Sequence, residues 1–165
     1  MSRITSRKAV SKAAEAVWAA NKYFVLACSQ SAYRDIRYHL RPNERDVNAA
    51  FLRLKEIDRT YRGLPSADLP ELSNALYHLL GYFKSDLLTE ERQYLHTRVK
   101  EDPEEVLEKL ETYTFEYDKT YLKSCRLWQR DRSFSLVPVG LKIEGELSEA
   151  YVWDWQGDYI CDDNR

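Results

Sequence analysis

The stretch "SNALYHLLGYFKSDLLTEERQYL", residues 73–95, decides the fold class. Leu72, Leu76, Leu79, Leu80 and Phe83 recur at intervals that lay apolar side chains along one helical face. Inside that run sit Asn74, His78 and Gly81, spaced i, i+4 and i+7 on a neighbouring stripe, with Tyr82 beside it. Glycine inside a helix costs about 1 kcal/mol relative to alanine, so Gly81 needs a reason. Two are open. Gly81 could let a second helix approach closely, with His78 and Asn74 hydrogen-bonded across the contact. Alternatively, Lys22, Asn74, His78 and Tyr82 could line a pocket able to hold a phosphate or a base edge. The packing reason is favoured, because buried polar groups mostly serve structure.

Helical period continues on both sides of this stretch. Towards the N-terminus, Val17, Ala20, Phe24, Ala27 and Cys28 mark a first helix from about Lys8 to Cys28. "SQS" at 29–31 then offers a hydroxyl to cap a short second helix, "AYRDIRYHL", which must stop before Pro42. A third helix near 44–62 keeps Val47, Ala50, Phe51, Leu54, Ile57 and Tyr61 on one face, with Gly63 as its stop. Pro70 suits the first turn of the fourth helix, and Thr89 is placed to cap the fifth. In "DPEEVLEKL", 102–110, Asp102 is the expected cap, Pro103 the first helical residue and Glu105 the third, as in a capping box. "ETYTFEYDKTYLKSCRLWQRDR", 111–132, reads as helix with a kink near Thr114. After Ser133 the pattern changes, and "FSLVPVGLKI" and "AYVWDWQGDYI" read as two short strands.

The expectation is a mainly α fold: five to six packed helices with a small C-terminal β-hairpin, in one domain spanning 1–165 with 133–165 as a β-like extension. A length of 165 residues lets roughly 70% of the unfolded surface be buried, so no metal or disulfide staple is needed. Cys28, Cys125 and Cys161 have neither metal-ligand spacing nor a disulfide framework, which suits a reducing, cytoplasmic setting. No apolar run approaches a membrane span, and no cofactor motif, Gly-rich phosphate loop or nucleophile elbow is present. His78 could titrate as a general base, but no nucleophile lies near it in sequence, and Cys28 would need a cation beside it.

The net charge of -2 is unevenly distributed. Arg3, Arg7, Lys8 and Lys12 precede the first acid, and seven acids face Arg165 alone from Glu144 onward. Lys119, Lys123, Arg126 and Arg130 fall at i, i+4, i+7 and i+11, one face if the helix runs through, with Tyr121 and Trp128 between them. Arg34, Arg37 and Arg41 form a second cluster at i, i+3 and i+7. Cations interleaved with aromatic rings can hold phosphates while bases stack.

Two stretches resemble the YbgA family. In "NKYFVLACSQSAYRDI", Lys22, Ala27, Ser29, Tyr33 and Arg34 match its pattern; in 73–95, Asn74, His78, Gly81, Tyr82, Phe83, Lys84, Glu91 and Arg92 match. The chain departs from it at Trp18 and Cys28, where histidines are usual, and at Arg37, where glycine is usual. Members occur alone or fused behind an iron–sulfur domain that resembles thiouracil desulfurases, where this part is thought to hold transfer RNA. The resemblance therefore implies a non-catalytic RNA-binding module for transfer RNA, assisting thiouridine desulfuration beside a separately encoded desulfurase. Two other classes stay open: a small enzyme with its pocket around Lys22, Asn74 and His78, and a protein-interaction module or homodimer using "YVWDWQGDYI".

Overall fold

The computed structural model describes residues 2–3, 7–42, 46–61, 70–128, 151–153 and 160–162. Six α-helices are among them: α1 (Arg7–Cys28), α2 (Gln30–His39), α3 (Val47–Thr60), α4 (Pro70–Gly81), α5 (Thr89–Glu101) and α6 (Pro103–Glu116). Two short 3-10 turns, Thr120–Leu122 and Arg126–Trp128, follow.

The second half of α1 is buried all round. Tyr23, Phe24, Val25, Leu26, Ala27 and Cys28 are consecutive and each is almost wholly hidden from solvent. A helix apolar on every side belongs at the centre of its fold, and α1 packs against α2, α3, α4 and the second 3-10 turn. Asn21 is tolerated there because its amide donates to the Val17 carbonyl at 2.8 Å. The core continues through Leu72, Leu76 and Leu79 of α4, Leu95 and Val99 of α5, and Val106, Leu107 and Leu110 of α6.

Local chemistry sets several boundaries as the sequence suggests. Ser29 separates α1 from α2: its extended backbone breaks the first helix, and its Oγ accepts from Ala32 N at 3.1 Å. Pro70 opens α4, and Asp102 caps α6 by accepting from Glu105 N at 3.2 Å with Pro103 in the first turn. Glu105 does not complete a capping box. Its carboxylate instead accepts from Arg98 Nε at 2.9 Å and from the Tyr94 hydroxyl at 2.6 Å.

Other boundaries differ. The third helix begins at Val47, capped by Asp46 through Ala49 N at 3.0 Å, and ends at Thr60; Gly63 lies outside the described residues. Thr89 is not a cap but the first residue of α5, which follows Leu88 with no side-chain cap bond. The helix expected through 111–132 stops at Glu116, because Asp118 adopts a left-handed backbone (φ 52°) that reverses the chain. Aspartate is among the few non-glycine residues that visit this region readily.

The small C-terminal β-hairpin is not supported as expected. Its first strand, 134–143, lies outside the described residues. The described strand pairing involves β1 (Ser2–Arg3), β2 (Tyr151–Trp153) and β3 (Ile160–Asp162), antiparallel in the order β1-β3-β2, with Cys161 opposite both Arg3 and Val152. Thus β2 and β3 fall at the two ends of what the sequence suggests as one strand. Pieces this short leave the helices to carry the fold.

Candidate functional site

Gly81 is the last residue of α4, not an interior one, and it is exposed. A Cβ built on it would meet nothing within 4 Å, so it does not mediate close helix packing. Past it, Tyr82 N and Phe83 N bond to Leu79 O and Leu80 O, both at 3.1 Å, and the chain tightens into a turn that plants Phe83 fully in the core.

The four residues expected around a pocket separate into two groups. Tyr82 shares a hydroxyl–hydroxyl hydrogen bond with Tyr23, the rings meeting edge-on at 6.0 Å, and the Lys22 ammonium lies 5.1 Å from the centre of the Tyr23 ring. Burial, then the bond to Tyr82, pushes the Tyr23 phenol well above its usual range. Lys22 and Tyr82 therefore meet through Tyr23, a residue the sequence did not single out. Asn74 and His78 stand apart: His78 is exposed, and Asn74 Nδ2 is buried with no hydrogen bond among the described residues. Cys28 does have a cation nearby, Arg126, but burial outweighs it and pushes the thiol up to about 12. Cys125, wholly buried, is likewise pushed up to about 12. Burial thus disfavours the thiolate form of both. Among the described residues no cluster of His, Cys, Asp or Glu could hold a metal ion. No described helix is long and apolar enough to cross a membrane.

The basic face expected at 119–130 is not a helical stripe, because the chain has already reversed. Lys119 pairs with Asp86 at 2.8 Å, and this raises the pKa of its ammonium. Lys123 bonds to Asp118, which holds the Asp118 carboxyl below its usual range. Arg126 lies 3.8 Å over the Phe24 ring. Arg130 lies outside the described residues.

The arginines of α2, Arg34 and Arg37, have the opposite fate, and Arg41 lies past the helix, which ends at His39. Arg34, Arg37 and Arg41 are all exposed and form no ion pair among the described residues. The acid of α2, Asp35, faces Arg53 of α3 at 3.4 Å and so does not neutralise them. Arg41 lies 5.3 Å from the ring of Tyr38, itself 45% exposed.

One feature went unread in the sequence. Tyr77, Leu80, Gly81 and Lys84 at the end of α4 meet Arg92, Gln93 and His96 of α5 around an open groove of about 270 Å³. Gly81 is common to this groove and to the Asn74–His78 stripe, Tyr77 lies beside that stripe, and Lys84 lies in the turn past α4. Spacing alone showed a cluster here but not which side faces the neighbouring helix.

The described residues form a helical module. Residues 22–130 match the family described as protein of unknown function (DUF1722), and the chain belongs to it. No curated protein and no solved structure matches the chain.

Proposed function

We propose that the protein is a non-catalytic RNA-binding module that holds transfer RNA. The observation that carries this is the exposed pair Arg34 and Arg37 of α2, with exposed Arg41 just past its end against the half-exposed ring of Tyr38, none of the three paired with a carboxylate among the described residues. Such cations release condensed counterions when they meet phosphates, and a ring among them offers a surface for an unpaired base. Lys119, Lys123 and Arg126 take structural roles instead, since each already has a partner within the fold. Transfer RNA as the particular RNA, a separately encoded desulfurase as partner, and a cytoplasmic setting rest on the YbgA resemblance. Its two stretches, 21–36 and 73–95, lie within the matched family region except for Asn21.

Binding to bulk transfer RNA across a salt series tests the proposal. The wild type should bind with an affinity that falls steeply with salt. A variant carrying Arg34→Glu, Arg37→Glu and Arg41→Glu should bind about a hundredfold more weakly, with a log–log salt slope shallower by roughly two to three. Absence of binding at low salt, or binding indifferent to these reversals, would overturn it.

A further inference from the structure

The groove between α4 and α5 combines an aromatic platform with two cations that no described carboxylate neutralises. Tyr77 and His96 come from different helices, yet their rings lie 4.5 Å apart and only 31° from parallel. His96 is exposed, so a third ring could continue the stack on its outer side. Leu80 is buried beneath, and the space beside Gly81 is open.

The positive charge is fixed by the backbone. Arg92 reaches from α5 to donate from Nη1 to the Lys84 carbonyl at 3.1 Å, which holds its guanidinium beside the turn. The Lys84 side chain is exposed at the same turn. Gln93, which can both donate and accept, lies between Arg92 and His96 in sequence. The volume is just below the roughly 300–1,000 Å³ of clefts that hold drug-sized ligands. It suits one ring system with a small charged substituent and is too small to enclose a dinucleotide.

We infer that this groove binds one nucleotide, its base against the Tyr77–His96 pair and its phosphate on Lys84 and Arg92. The nucleotide could be free or an exposed unit of an RNA; only the second source rests on the RNA-binding function proposed above.

The test is calorimetric titration of the full chain with ribonucleoside monophosphates, with nucleosides and with inorganic phosphate. Monophosphates should bind saturably, and nucleosides and phosphate each about tenfold more weakly or less. Lys84→Gln should weaken monophosphate binding about tenfold and leave nucleoside binding unchanged, whereas His96→Ala should weaken both. Both side chains are exposed, so far-ultraviolet circular dichroism should show these variants folded. No saturable binding at millimolar monophosphate, or binding that survives both substitutions, would overturn the inference. If transfer RNA and monophosphate weaken together in the groove variants, the bound unit belongs to the RNA; if only monophosphate weakens, the ligand is the free nucleotide. Nucleotide binding by a protein that binds no transfer RNA keeps the groove and removes only the RNA reading, whereas nucleotide binding lost in the α2 variant would overturn the groove as a separate site.

Discussion

Two regions of this molecule look alike in sequence and differ in the fold. Both α2 and the segment 117–128 set cations at helical spacing among aromatic residues. In 117–128 every described cation has an internal destination: Asp86 for Lys119, Asp118 for Lys123 and the Phe24 ring for Arg126. Along α2 the helix continues, and Arg34 and Arg37 project into solvent. The difference teaches that charge counted in a sequence becomes available charge only where the backbone keeps it away from carboxylates. The reversal at Asp118 supplies one such carboxylate itself.

The contrast is easiest to break by stability. Leu122 and Leu127 are almost wholly buried, so Leu122→Ala or Leu127→Ala should cost about 2–5 kcal/mol in urea unfolding. Arg34→Ala should stay within about 0.5 kcal/mol. A cost at Leu122 and Leu127 as small as that at Arg34 would show that their segment, too, is surface. The transfer RNA titration comes next: the α2 reversals should lower affinity about a hundredfold, while Lys119→Ala with Lys123→Ala should leave it within about twofold.

A smaller effect separates the two halves of an arginine's role. Arg126→Ala should destabilise by about 1 kcal/mol through loss of its packing on Phe24, with Arg126→Lys recovering part of it. A neutral result would show that packing on Phe24 does not stabilise the fold.

The tied segment should also be sensitive at both ends of the pH scale. Asp118 has a folded pKa below 3.8, so its bond to Lys123 stabilises above that value and is lost as pH falls through the folded one. Lys119, raised above 10.5 by Asp86, stabilises fully below that value and loses its contribution as pH rises past the folded one. The thiols add to the alkaline loss: for Cys28 and Cys125, stability holds below 9.0 and falls as pH climbs towards about 12. Urea midpoints should therefore drop at about pH 3 and again at about pH 11 relative to about pH 7. A flat profile would mean that these pairs do not hold in solution.

Gly81→Ala should give the smallest change, and of opposite sign. Its backbone is not left-handed and the space beside it is open, so alanine should stabilise by about 0.4–1 kcal/mol by restricting the unfolded chain.

Much of the helical layout was legible because it rests on neighbours in sequence. Ser29, Pro70 and the Asp102–Pro103 pair act within one turn of themselves, and a hydroxyl, a ring or a carboxylate at the right offset announces them. The end of α6 was not legible, since "ETYTFEYDKTYLK" keeps its apolar period past Glu116 and only Asp118's backbone marks the reversal. Gly81 was misread for a related reason: a glycine at the end of a helix and one inside it look the same until the turn beyond is known. Spacing placed Arg34 and Arg37 on one helix, α2, but it carried Arg41 with them although α2 ends at His39. The groove was not, because whether the His78 side or the Tyr77 side of α4 faces α5 depends on docking between distant segments.

One residue has a consequence for dynamics. Asp102 closes α5, where its backbone N–H reaches Arg98 O at 2.7 Å, and opens α6 through its carboxylate. The same Arg98 holds Glu101 and Glu105 from either side of the joint, at 2.8 and 2.9 Å. Neither helix can fray at this junction without loosening the other. The amide protons around it should exchange with solvent as one cooperative unit, and Asp102→Ala should speed exchange in the last turn of α5 as well as the first turn of α6. All these contacts are close in sequence, so the α5–α6 hairpin is suited to form early in folding, before the distant ends of the chain have met.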